Sequence, residues 1–252
     1  MDESQLHSWL LLGVFVAAAL TFLFLTFVSA PYGRHRREGW GIEINTRAAW
    51  VLMEFPAVFG FLAVYFSGDH AWSLAPLCLL AIWQAHYVQR TLIYPFLLRT
   101  GGKPTPLSVV AMGFTFNAVN AYVNARMISH IGSYDESWLT DPRFLIGAAL
   151  FAFGYSLNRG SDRRLRNLRA PGETGYKIPR GGAFELVSCP NYLGELIEWI
   201  GWAIATWSVA GLSFAVFTAA NLVPRAITHH RWYLEKFPDY PKHRRAMLPF
   251  IL

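Results

Sequence analysis

The chain has 252 residues, 54% of them hydrophobic and only 15% charged, with a formal net charge of +6. A soluble domain of ordinary composition is about a quarter charged, and apolar runs near the roughly 20 residues that cross a bilayer recur along this sequence. The composition argues against an ordinary soluble domain. It also argues against reading the positive charge as nucleic-acid binding, because basic residues of a membrane protein collect in its cytoplasmic loops.

The first apolar segment, 6–27, follows Asp2 and Glu3 rather than a basic stretch, and no small-residue cleavage site stands out. A retained helix is expected there, not a signal peptide. A loop with Arg34, Arg36, Arg37 and Arg47 leads to a second helix, 48–66, which contains Pro56. Asp69 marks a short acidic loop before a third helix, 71–98, which leads to Arg99 and Lys103. A fourth, 107–130, precedes the acidic residues Asp135, Glu136 and Asp141. A fifth, 143–157, runs into an arginine-rich loop; a sixth spans 192–209 and a seventh 212–233, followed by a basic, aromatic tail. Basic loops follow helices one, three, five and seven, and acidic ones follow two and four. The expectation is therefore an all-α polytopic membrane protein, a single domain over 1–252 with seven transmembrane helices, its N-terminus outside or lumenal and its C-terminus cytoplasmic.

Cys78 and Cys189 sit in unrelated contexts, with no His or Cys at metal-ligand spacing, so free thiols and no metal site are expected. No internal repeat is visible, which weakens an inverted-repeat transporter reading.

Ionisable groups at membrane depth are costly and are functional candidates. Positions three, four and seven apart share a helical face. Arg47 and Glu54 are so placed on the second helix, just ahead of the donor lost at Pro56. On the third, Trp83, Tyr87, Arg90 and Tyr94 form a stripe with His86 beside it; an aromatic packing face, with Arg90 snorkelling, is its structural reading. Asn117, Asn120 and Asn124 align on the fourth, where asparagines commonly hydrogen-bond neighbouring helices. Asn158 and Asp162 end the fifth helix; Asn191, Glu195 and Glu198 share a face of the sixth; Arg225, His229 and Tyr233 share a face of the seventh. Glu195 and Arg225 lie in apolar sequence, where a solvated helix end does not account for them.

The most polar stretch is 158–199. Arg159, Arg163, Arg164, Arg166 and Arg169 crowd its first third, and turns at Pro171-Gly172 and Pro179–Gly182 break its middle. Guanidinium groups at the mouth of a polar cavity suit a phosphate-bearing ligand, because their fork matches phosphate geometry. Asn, Asp and Glu deeper inside suit an amide and sugar hydroxyls, and the apolar half suits a lipid-like substrate. No G-x-G-x-x-G or Walker motif is present, so a nucleotide would bind without a Rossmann fold.

The segments RAAWVLMEFP, HYVQRTLIYP, GETGYKIPRGGAFELVSCPNYLGELIEW and RAITHHRWYLEKFPDYPKHRRAMLPFIL together resemble the steroid 5α-reductases over nearly the whole chain. The resemblance implies a seven-helix membrane enzyme, of endoplasmic reticulum or bacterial inner membrane, that reduces the double bond of 3-oxo-Δ4 steroids with NADPH. It implies that helices one to three, about 1–106, form the substrate side and that 107–252 carries the cofactor loops. Glu54 and Tyr87 match the pair that hydrogen-bonds the steroid ketone. Asn158, Asp162, Arg169, Tyr176, Asn191, Glu195, Arg225, His229 and Tyr233 match residues around the cofactor, and Arg90 and Lys103 match contacts to its phosphate end. Two departures stand out against the mammalian type 2 member: Met53 where it has Gln, which bears on the preferred steroid, and Lys177 in the cofactor loop where it has Arg.

The chemistry fits these residues independently. An enone takes hydride at its β-carbon only if charge can develop on the ketone oxygen, and a buried acid and a phenol aimed at that oxygen would stabilise it. Glu54 in an apolar site can stay protonated and donate. A reductase of a sterol, polyprenol or enoyl thioester, an isoprenylcysteine-type methyltransferase, and a transporter or receptor are the alternatives. Cofactor use separates them.

Overall fold

The computed structural model describes residues 2–29, 35, 39–99, 104–170, 173 and 175–252, so Lys103 lies outside the described residues. The chain is mostly helical. Helix α1 (Glu3–Phe27) starts where the Asp2 carboxylate accepts from the Gln5 amide at 2.7 Å. It is apolar all round and buries only His7, Val14, Ala18 and Leu25, as befits a helix on the outside of a bundle in lipid.

Helix α2 (Thr46–Phe55) is capped by the Asn45 side chain. It continues through a wide π-helical turn, Pro56–Gly60, into α3 (Phe61–Tyr65). Pro56 has no N–H to give, so the regular ladder widens there. Two carbonyls of this turn are met from the next helix: Trp83 Nε1 donates to Ala57 O at 2.9 Å and Gln84 Nε2 to Val58 O at 3.2 Å. Helix α4 (Leu74–Val88) likewise passes through a π-helical turn, Gln89–Ile93, into α5 (Tyr94–Leu97). Helix α6 (Leu107–Arg126) ends in a third such turn, Met127–Ile131.

Helix α7 (Pro142–Asn167) runs ten residues past Leu157, the expected end of the fifth helix. Arg159, Arg163, Arg164 and Arg166 thus sit on a helix and not in a loop. The change from apolar to polar sequence does not end the helix, because arginine is a good helix former. Helix α8 (Pro190–Thr206) opens on Pro190 and stops at Trp207, whose φ of 44° is left-handed. Helix α9 (Val209–Lys236) follows, capped by Ser208, with Pro224 inside it.

A two-stranded antiparallel ribbon was not expected. Strand β1 (Glu43–Asn45) pairs with β2 (Pro104–Pro106), with Ile44 opposite Thr105. It closes the entrances to α2 and α6 side by side. By length and composition, three helical spans are apolar enough to cross a membrane: Glu3–Phe27, Thr46–Tyr65 and Val209–Lys236.

The core is an aromatic cluster around fully buried Trp83. Its ring centroid lies 4.4 Å from Phe61, 4.9 Å from Tyr87, 5.2 Å from Trp202 and 5.4 Å from Trp199. Helices α7 and α8 run antiparallel in direct backbone contact. A methyl group at Gly147, Gly154, Gly194 or Gly201 would collide with the backbone of the facing helix. This seam ends at Asn158 and Asn191, which begin the polar site.

Candidate active site

Glu54 is the penultimate residue of α2, two residues ahead of Pro56 and its π-helical turn. Its carboxylate accepts from Asn117 Nδ2 at 3.1 Å, and the same nitrogen donates to Met53 O at 2.9 Å. Thr91 of the second π-helical turn reaches the Glu54 carbonyl at 3.4 Å, fixing this turn against α2. Tyr87 projects from α4 with its ring between Trp83 and Trp199, 5.6 Å from the latter. Glu54, Glu195 and Arg90 all lie within electrostatic reach of its hydroxyl. That hydroxyl makes no hydrogen bond among the described residues, and the ring is 3% exposed. A phenol so enclosed and with its donor unused is available to a ligand.

Next to this pair is a nest of acids around one cation. The Arg90 guanidinium lies 3.7 Å from Asp162 and 3.9 Å from Glu195, and covers the faces of Trp50 at 4.5 Å and Tyr94 at 4.7 Å. Asn158 donates to the Asn191 carbonyl at 3.0 Å and to Glu195 at 3.3 Å, while Asn191 donates to Asp162 at 3.2 Å. The glycine seam makes these contacts possible, because only closely packed backbones let such short side chains meet.

On α9, Arg225 donates to Asn221 at 2.9 Å and to the Tyr192 hydroxyl at 3.0 Å. His229 meets that hydroxyl at 3.1 Å and stacks on His35. Tyr233 is buried and stacks on Tyr240 with centroids 5.1 Å apart. Arg169 donates to the Gly175 carbonyl at 3.1 Å and sits 5.9 Å from the Tyr176 ring, which packs edge-on against Trp232. Lys177 is paired with Glu173, and that bond holds the exposed Glu173 carboxyl below the usual carboxylate range.

Apart from Tyr233, which stacks on Tyr240, the described sequence-expected residues form three groups. Glu54, Tyr87 and Arg90 join Asn158, Asp162, Asn191 and Glu195 in one assembly, with Tyr87, Asn158 and Asp162 buried and the other four half-buried. Arg225 and His229 are bridged by Tyr192. Arg169, Tyr176 and Lys177 lie along the loop beyond. Sequence reasoning left out Asn117, Tyr192 and Trp50. Asn117 was in view as one of three aligned asparagines, but its contact with Glu54 needs the crossing of α2 and α6. His86 and Glu198 were likewise in view without a role.

The loop before α8 is braced by the C-terminal tail. Val187 and Arg245 form a parallel bridge, and Ser188 and Cys189 amides donate to the Arg245 and Ala246 carbonyls at 2.8 and 3.0 Å. The buried Arg244 donates to Pro179 O at 2.8 Å and Glu185 at 3.1 Å.

A family profile described as 3-oxo-5-alpha-steroid 4-dehydrogenase matches residues 103–252. The chain is 48% identical over 235 residues to the 3-oxo-5-alpha-steroid 4-dehydrogenase 1 of Bos taurus, covering 92% of this chain and 91% of that protein. It is 50% identical over 227 residues to the Homo sapiens protein of the same description, covering 88% and 86%. It is 44% identical over 255 residues to the steroid 5-alpha-reductase DET2 of Gossypium hirsutum, covering 99% and 98%. A helical oxidoreductase of membrane character is the class that fold and matches define together. Within it, the chain belongs to the steroid 5α-reductase family, oxidoreductases acting on carbon–carbon bonds.

Proposed function

We propose that this protein reduces the Δ4 double bond of 3-oxo-Δ4 steroids such as testosterone, progesterone and androstenedione, using NADPH, within a seven-helix membrane bundle. The observation that carries this reading is the juxtaposition of Glu54, held by Asn117, with a Tyr87 hydroxyl left free to donate.

Tyr87 donates to the ketone oxygen of the steroid, and Glu54, protonated in its apolar surroundings, donates to the same oxygen or orients the phenol. Asn117 holds Glu54 and Trp83 and Trp199 flank Tyr87 before substrate arrives, so little reorganisation opposes the developing enolate charge. When bound, the cofactor supplies the hydride that enters the β-carbon. The former π pair then resides on the α-carbon and oxygen, and a proton from water completes the α-carbon.

The donor set suits a phosphorylated dinucleotide. Asn158, Asn191, Asp162 and Glu195 offer the mixed donors and acceptors that an amide and ribose hydroxyls require. Arg225, His229 and Tyr233 are the cofactor candidates of α9, and Arg169, Tyr176 and Lys177 belong to the outer, phosphate-bearing part. Arg90, enclosed by Asp162 and Glu195, is better placed to organise this nest than to meet a phosphate directly.

The experiment is NADPH oxidation by purified, detergent-solubilised protein with testosterone or progesterone, with the product identified. Steroid-dependent oxidation giving the saturated 3-ketone supports the reading. NADPH binding without turnover would move the substrate to another lipid enone, and the absence of both would overturn the cofactor assignment.

A further inference from the structure

His86 and Glu198 have no part in the site as assigned above. His86 Nδ1–H donates to Glu198 Oε1 at 2.7 Å; the histidine is 4% exposed and the glutamate 0%. The bond ties α4 to α8. The next residues along each helix pair as well, since Tyr87 stacks near Trp199, and the His86 ring sits edge-on to both, 4.9 Å from Tyr87 and 4.7 Å from Trp199.

The other oxygen, Glu198 Oε2, is buried and has no hydrogen-bond partner. A buried carboxyl with one oxygen unmet is a poor source of stability, and an apolar pair of similar volume commonly does as well or better. Its use lies elsewhere. The Tyr87 hydroxyl makes no hydrogen bond among the described residues, so its aim is set only by what holds the ring and the helix beneath it. Those holds are Trp83, Trp199 and the rotation of α4 about its axis. The His86–Glu198 bond fixes that rotation one residue away.

We propose that His86 and Glu198 are positioning residues for Tyr87: their bond locks the α4–α8 crossing so that the phenol is held toward the ketone oxygen before substrate binds. This rests on Tyr87 being the donor, and the test separates the two ideas. Four forms are compared with NADPH in detergent: wild type, the double substitution His86→Leu with Glu198→Met, Tyr87→Phe, and all three together. Misplacement of a reacting group by about 1 Å costs about 10²-fold in rate, and the double substitution is expected to lower kcat by that order. The KM for NADPH should stay at the wild-type value, and the thermal midpoint at or above it. On the Tyr87→Phe background the same pair change should alter kcat less than twofold, because contacting residues that act as one unit are not additive. His86→Asn, which keeps a donor near the Nδ1 position, should restore most of the rate.

A full rate loss repeated on the Tyr87→Phe background, or a rate loss matched by a lowered thermal midpoint, overturns the positioning role and leaves the donor role standing. Wild-type turnover by Tyr87→Phe overturns the donor role and this proposal with it. Should the double variant not fold, His86→Leu and Glu198→Leu singly, each with and without Tyr87→Phe, give the same cycle.

Discussion

Asn117 and Glu54 meet across the α2–α6 crossing, with the amide nitrogen 3.1 Å from the carboxylate and 2.9 Å from the Met53 carbonyl. One side chain thus fixes both the acid and the backbone that carries it. Asn117→Ala should lower kcat on the steroid by roughly tenfold, since leaving a buried acceptor unmet costs about 1–3 kcal/mol. Glu54→Gln and Tyr87→Phe should cost more, on the order of 10²–10³-fold in kcat, as for loss of an oxyanion donor. NADPH affinity, measured by fluorescence titration, should hardly move in any of the three. Cofactor affinity falling as steeply as rate would remove these residues from the ketone.

Arg169, just beyond α7, is proposed above for the phosphate end of the cofactor, and the same expectation extends to Arg166 on the last turn of that helix. Replacing each by Gln should weaken NADPH more than NADH in competition binding, because a lost guanidinium fork matters most where there is an extra phosphate. Equal weakening of both cofactors would take them away from the 2′-phosphate.

Gly154 and Gly194 face each other across the α7–α8 seam, where an added methyl group collides with backbone. Gly154→Ala or Gly194→Ala should destabilise the protein by about 1–3 kcal/mol through overpacking, and should weaken cofactor binding by shifting Asn158 away from Glu195. Gly160, on the same helix, has open space where a Cβ would go. Gly160→Ala should therefore be neutral or raise the thermal midpoint slightly, as replacing a helical glycine usually does by about 0.5–1 kcal/mol. A thermal melt of the three variants distinguishes these outcomes.

Glu185 accepts from the Gly181 amide and from Arg244, and the backbone donor first, with Arg244 after it, holds its carboxyl below the usual value of 4.5. A depressed folded value means the contribution is present above the unfolded value and lost as pH falls through the folded one. The loop before α8 should thus loosen below about pH 4.5, seen as faster cleavage there by an acid-tolerant protease. Glu185→Gln should show that faster cleavage already at neutral pH. Unchanged cleavage in the variant would deny this contact a role in holding the loop.

In sealed vesicles of known orientation, an epitope at the N-terminus should be reached only from the outside or lumen and one at the C-terminus only from the cytoplasm. Both epitopes on the same side would exclude an odd number of spans.

Much of this was legible from residue type and spacing. Acids and arginines within apolar helices stand out because lipid tolerates them only with partners, and that drew attention to Glu54, Arg90, Glu195 and Arg225. The end of α7 was misread because the polarity change at Asn158 looks like a helix end, although nothing from Arg159 to Asn167 breaks a helix. The β1–β2 ribbon was missed because strands of three residues, one of them Pro-Thr-Pro, carry no periodic signal. Which asparagine would touch Glu54, and that His86 would find Glu198 across 112 residues of sequence, are facts of helix crossing that no local pattern encodes.

The brace between residues 187–189 and 245–246 sets an order on assembly. A chain made from its N-terminus presents α7 and α8 long before the Arg245 and Ala246 carbonyls exist to accept from Ser188 and Cys189. Until α9 has been inserted and its tail has turned back, the loop that opens α8 lacks its edge partner and Arg244 has not reached Pro179. Residues 244–246 thus act as a latch, closed only after α7, α8 and α9 have been made, and the loop before α8 stays open until they arrive.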